Sequence, residues 1–123
     1  MNYKIYINKM LPMMICAGLI QLVLINPVMA APAAIDLLKA CEHSLAKGFE
    51  GIEGEMCTWY VTPCDCDYGM VNDMPRVCLP KSVPVESLAQ TVVEGLREQP
   101  ELHMENADYA AATILSRIYP CNE

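Results

Sequence analysis

The chain is poor in basic residues. Eight Lys and Arg stand against fifteen Asp and Glu, which gives a formal net charge of −7 over 123 residues. Nucleic acids and anionic membranes attract basic surfaces, so this balance argues against both as partners. A basic protein would suit such a surface better, and the alternative is that the acidic residues only keep the protein in solution.

Residues that carry catalysis are also scarce. The only two histidines, His43 and His103, lie in helical stretches among charged residues, and we expect both on the surface. The sequence has no glycine-rich phosphate loop and no G-x-S-x-G nucleophile motif. Its closest group of acids, Glu50, Glu53 and Glu55, is typical of a hydrophilic linker. We therefore predict a protein that is not an enzyme and that binds no cofactor.

The first thirty residues have the layout of a secretory signal peptide. Two lysines precede a mostly apolar run over 11–25, and an Asn-Pro breaker and small residues up to Ala30 follow. The run is shorter than the roughly 20 residues that a membrane-spanning helix needs. We predict that residues 1–30 are removed and that residues 31–123 form a single periplasmic domain that no longer contacts a membrane.

Six cysteines remain in the predicted mature domain. An even number in a short exported chain is typical of a disulfide framework. The one close pair has the spacing C-x-C, which is not the C-x-x-C of zinc sites, and we predict no metal site. The predicted disulfide cysteines are Cys41, Cys57, Cys64, Cys66, Cys78 and Cys121.

Hydrophobic periodicity predicts one amphipathic helix near the start of the mature domain. Apolar residues from Ile35 to Leu45 recur at steps of three and four, and Gly48 ends the pattern. Residues 56–61 fit a short helix or a strand. The following stretch, 65–76, is rich in Asp, Asn, Gly and Pro and is typical of a loop.

The clearest pattern comes near the end of the chain. One helix begins close to Pro84, and an alanine-rich second helix follows Pro100 and stops at Pro120. The predicted core of the bundle comprises Leu38, Leu45, Leu88, Val92, Leu96, Ile114, Leu115 and Ile118.

Two of the cysteines bracket these last two helices. In an antiparallel helical hairpin, the start of the first helix lies beside the end of the second. Cys78 precedes the first helix and Cys121 follows the second, so this geometry favours a disulfide between them. In the chain-entropy model such a loop closure contributes about 4 kcal/mol to stability.

The order of these features resembles the Tai/Rap family of type VI secretion immunity proteins. A signal peptide is followed by a helix with "LLKAC", then "CTWYV", then "CLP", then "VVEGLREQPELHMENADYAAATILSRIYPC". The resemblance covers nearly all of the mature domain and is best over 78–121. The chain departs from the family pattern around Trp59 and Pro63, since the family usually has a glycine near the tyrosine of the second motif.

The resemblance implies a fold and a function. The fold would be all-α, a small disulfide-stapled bundle of about four helices similar to the HdeA-like acid chaperones. The function would be that of a periplasmic immunity protein, often dimeric, which inhibits a cognate effector that is a peptidoglycan hydrolase or amidase. The alternatives are an HdeA-like acid-stress chaperone and an unassigned periplasmic binding module. The likeness to the acid chaperones also favours a different pairing, Cys41 with Cys78.

An inhibitor of this kind needs a rigid scaffold that holds a protruding segment over the active site of its target. The loop 65–76 is the candidate segment, because a tyrosine offers rigid contact area and acids steer towards a basic target. The alternative is that this loop is only a solvated connector. The predicted contact residues are Asp67, Tyr68, Met70, Asn72 and Asp73.

Overall fold

Four α-helices make up most of residues 31–63 and 74–122, which are the residues that the computed structural model describes. No strand occurs in these ranges, so the prediction of a small all-α bundle is confirmed. Residues 56–61 are helical rather than extended. The predicted signal peptide lies outside the described residues. The helices are α1 (Ala34–Lys47), α2 (Gly51–Val61), α3 (Val85–Glu98) and α4 (Ala107–Ile118), with a 3-10 turn at Pro100–Leu102.

A tight turn built on two glycines joins α1 to α2. Gly48 has φ 108° and Gly51 has φ 74°, both in the left-handed region that side chains avoid. Gly48 ends α1, as the sequence pattern predicts, and its N–H donates to the Ser44 carbonyl at 2.8 Å. The short turn places α2 directly against α1.

Each helix contacts the other three, and the apolar core lies between them. Most of the predicted core is buried, but two predictions are wrong, because Leu45 is 39% exposed and Ile118 is 58% exposed. Ile118 is the last residue of α4. Leu45 lies at the border of the buried face of α1, and that face is centred on Leu37 and Cys41. The core residues that were predicted correctly are Leu38, Leu88, Val92, Leu96, Ile114 and Leu115.

Two disulfides occur among the described cysteines. Cys41 and Cys57 are fully buried and tie α1 to α2, with Cα atoms 4.9 Å apart. Cys78 pairs with Cys121, as the hairpin geometry predicts. The alternative pairing of Cys41 with Cys78 is wrong, because Cys41 is bonded to Cys57 and Cys78 to Cys121. The remaining two predicted disulfide cysteines, Cys64 and Cys66, lie outside the described residues.

Backbone hydrogen bonds join the start of the domain to the turn before α4. The N–H groups of Ala34 and Ile35 donate to the carbonyls of Glu105 and His103, both at 2.9 Å. In return, the Ala107 N–H donates to the Pro32 carbonyl at 3.0 Å. These bonds satisfy first-turn N–H groups that have no partner within their own helix.

The two histidines differ in their surroundings. His43 is exposed, as expected. His103 is half-buried, so it is less exposed than expected. Its ring Nε2–H donates to the Leu96 carbonyl at 2.7 Å, because the 3-10 turn brings the ring back over the end of α3. His103 therefore has a structural role in this turn.

Candidate protein-binding surface

The predicted binding loop cannot be placed on the bundle, because its contact residues lie outside the described ranges. Helix α2 ends at Val61 and the described chain resumes at Met74, shortly before the exposed Cys78. The loop prediction therefore stays a prediction. The residues concerned are Asp67, Tyr68, Met70, Asn72 and Asp73.

The largest apolar side chains left uncovered on a helix lie on α2. Ile52 is 82% exposed and Trp59 is 79% exposed. Seven residues separate them, so they share one face of the helix, about 10 Å apart along its axis. Trp59 is also the single tryptophan of the chain. These two side chains contribute little to the core.

The opposite face of α2 consists of small residues and packs inwards. Gly54, Cys57 and Val61 are buried at helical spacing. A Cβ atom on Gly54 would lie 2.2 Å from the carbonyl carbon of Phe49. The missing side chain therefore lets the incoming chain cross the first turn of α2, and this contact holds Phe49 beside the helix.

A shallow groove lies on this part of the surface. It has a volume of about 440 Å³, is open to solvent and is lined by Phe49, Glu55, Thr58 and Trp59. Glu55 is three residues after Ile52 and four before Trp59, so it lies on the same helix face. We refer to Phe49, Ile52, Glu55 and Trp59 together as the α2 outer face.

The electrostatic character of the α2 outer face is acidic. Glu50, Glu53 and Glu55 are all exposed, and the stretch 48–63 contains no Lys or Arg. Glu53 in the first turn also stabilises the helix through its dipole. Elsewhere in the bundle, by contrast, Arg97 on α3 pairs with Glu42 on α1 at 2.7 Å.

One flank of α2 packs towards α4. Tyr60 is half-buried there, and it belongs to the set of apolar residues packed against the core. Burial raises the pKa of the Tyr60 phenol, and the nearby Asp108 carboxylate at the start of α4 raises it further. Both effects keep the phenol neutral, so Tyr60 adds no charge to this side of the helix.

The surface offers contact area rather than reactive groups. Across residues 31–63 and 74–122, no three His, Cys, Asp or Glu side chains come close enough together to hold a metal ion. The same ranges contain no helix that is long and apolar enough to cross a membrane. An exposed aromatic beside an acidic groove is suited to contact with another macromolecule.

Sequence reasoning missed the α2 outer face. From the sequence alone, the three glutamates are typical of a hydrophilic linker, and residues 56–61 fit a helix or a strand. The signal that was available is the seven-residue spacing of Ile52 and Trp59, which places both away from Cys57 on a helix. That signal is usable only once the segment is known to be helical.

Comparison with known proteins identifies the domain. No curated protein and no solved structure matches the chain. A family model described as Rap1a immunity proteins matches residues 33–121. The match begins at the residue before α1 and ends at Cys121, so it includes all four helices and both described disulfides. The chain belongs to the Rap1a immunity protein family.

Proposed function

We propose that this protein is a periplasmic immunity protein that binds and inhibits a peptidoglycan-degrading effector delivered by type VI secretion. The observation that carries the proposal is the family match over 33–121, which includes every described helix. The two disulfides are consistent with an exported protein, because such bonds persist in oxidising compartments. The order of sequence motifs supports the type VI assignment.

Inhibition of this kind works by occupancy, and immunity proteins are typically not enzymes. The bundle supplies a rigid scaffold in which one disulfide fixes α2 against α1 and the other fixes the ends of the α3–α4 hairpin. A rigid binder loses little conformational freedom when it meets its target. The predicted homodimer and the predicted contact loop remain proposals within this function.

The test is protection of cells from lysis. Any peptidoglycan hydrolase encoded next to the gene for this chain is a candidate effector, and it is exported to the periplasm of a host for the test. Co-expression of the full chain should prevent the fall in culture density that the hydrolase causes alone. A matched control lacks residues 1–30, keeps the same domain and should give no protection, because it stays in the cytoplasm.

Two results would contradict the proposal. Equal protection by the control without residues 1–30 would contradict the periplasmic site of action. If the full chain protects against none of the hydrolases but suppresses aggregation of other proteins at acid pH, the chaperone alternative is correct. That outcome is disfavoured by the two disulfides, which resist the loosening that an acid-activated chaperone needs.

A further inference from the structure

We propose that the α2 outer face is the surface through which this protein binds its effector, and that an arginine-bearing basic patch of the effector occupies it. This inference rests on the proposed function, because the effector is taken as the partner. It differs from the loop prediction, because it assigns the contact to residues on a helix of the rigid bundle.

Two apolar side chains of the α2 outer face are strongly exposed. Trp59 and Ile52 are 79% and 82% exposed although both belong to a helix whose other face is buried. A folded domain gains nothing from apolar side chains in water, whereas tryptophan is among the residues that contribute most to protein–protein affinity. The pair is anchored on a helix that the Cys41–Cys57 disulfide holds in place.

Charge selects the occupant. Glu55 shares the helix face of the apolar pair, and Glu50 and Glu53 add two exposed carboxylates at the start of α2. The stretch 48–63 contains no Lys or Arg, and the nearest basic residue along the chain is Lys47 at the end of α1. A second copy of this chain, paired through the same face about a two-fold axis, would bring two acidic surfaces together, and their charges would repel each other. A basic partner gains both attraction and a faster encounter.

The groove indicates which basic side chain fits. Two aromatic residues, Phe49 and Trp59, and one acidic residue, Glu55, line the same volume of about 440 Å³. An arginine guanidinium can stack on an aromatic ring and donate hydrogen bonds to a carboxylate at the same time. Lysine satisfies the charge but lacks the planar group that stacks.

The experiment compares surface variants of the full mature domain with the hydrolase found in the protection test. Trp59→Ala should raise the dissociation constant at least about 30-fold, which is the effect of losing a binding hot spot. The double variant Glu53→Lys with Glu55→Lys should slow association, most strongly at low salt. Met104→Ala is the matched control, because Met104 is 83% exposed but lies in the turn before α4. This variant should leave binding unchanged. Circular dichroism confirms that each variant is folded.

The outcomes separate this inference from the proposed function. If the wild type binds and protects while both α2 variants behave like Met104→Ala, the inference is overturned and the proposed function stands. If Trp59→Ala instead converts a dimer into a monomer in sedimentation experiments, a second copy covers the face and the inference is also overturned. If the wild type neither binds nor protects, the proposed function fails and this inference fails with it.

Discussion

Helices α2 and α3 belong to one bundle but distribute their apolar residues differently. Helix α3 buries Leu88, Val92 and Leu96 on one face and exposes polar residues on the other. Helix α2 fully buries only Gly54, Cys57 and Val61, and it turns its two most exposed apolar residues, Trp59 and Ile52, towards solvent. The sequence of α3 is explained by folding alone, whereas the sequence of α2 is not. The exposed pair on α2 is the basis of the proposed binding face.

The two helices are also held by different means. Helix α3 depends on large buried side chains. Helix α2 approaches its neighbours closely through Gly54 and is bonded to α1 through Cys57. With this attachment, α2 keeps its place in the bundle although Ile52 and Trp59 contribute little to the core.

The largest effect is expected on the inner face of α3. Val92 is fully buried, so Val92→Asp places a carboxylate without a partner in the core. We expect a loss of at least about 4 kcal/mol in the free energy of unfolding, measured by urea denaturation. Glu94→Asp on the exposed side of α3 is the control and should stay within about 0.5 kcal/mol. An unchanged midpoint for Val92→Asp would show that this face is not core.

The next effect concerns the covalent attachment of α2. Replacing Cys41 and Cys57 together by Ala opens a loop with a sequence separation of 16. The chain-entropy model gives a loss of about 3 kcal/mol, and the loss of buried sulfur contacts adds to it. Thermal unfolding of the oxidised protein measures the change. A loss below about 1 kcal/mol would mean that packing alone holds α2, contrary to the comparison drawn above.

A smaller effect is expected where α2 meets the preceding turn. In Gly54→Ala the new Cβ meets the backbone of Phe49 at 2.2 Å, and backbone cannot rotate away. We expect a loss of about 1–3 kcal/mol in unfolding free energy, as for other overpacked sites. Gly95→Ala on α3 is the matched comparison, because its Cβ meets only the Ile114 side chain, at 2.5 Å. It should cost less, since a side chain can shift and Ala favours a helix. Equal losses of unfolding free energy in the two variants would show that contact with the Phe49 backbone costs no more than contact with the Ile114 side chain.

The smallest effect on stability is expected at Trp59. Because its side chain is 79% exposed, Trp59→Ala should change the unfolding free energy by less than about 0.5 kcal/mol. Val61→Ala, at a fully buried position of the same helix, should cost more than about 1 kcal/mol. A large loss for Trp59→Ala in chemical denaturation would give the tryptophan a folding role and weaken the case for a binding face.

The sequence predicts α3 and α4 well and α2 poorly, for the same physical reason. Periodicity identifies a helix when apolar residues lie on one face, as they do between Val85 and Leu96. In α2 they lie on both faces, and two glycines interrupt the segment, so helix and strand fit equally. The disulfide between Cys41 and Cys57 was also beyond prediction, because pairing depends on which helix faces each cysteine.

Errors in the predicted core have a local cause. The pattern from Ile35 to Leu45 predicts the helix correctly, but it places the buried face too far round the helix towards Leu45. The residues that are buried follow Leu37, Cys41 and Ser44. Ser44 is tolerated there because its hydroxyl donates to the Ala40 carbonyl at 2.8 Å. Hydrophobic periodicity cannot predict that such a polar residue is buried, because it takes no account of a hydrogen bond within the helix.

The hydrogen bonds between the start of the domain and the turn before α4 constrain the order of folding. Ala34 and Ile35 find their acceptors only after residues 103–105 have been brought into position by α3. Contacts between such distant parts of a chain carry a high loop-closure cost and tend to form late. We therefore expect the first turn of α1 to be completed after the α3–α4 hairpin has packed. We also expect the start of α1 and residues 103–105 to open together, because each supplies the hydrogen-bond partners of the other.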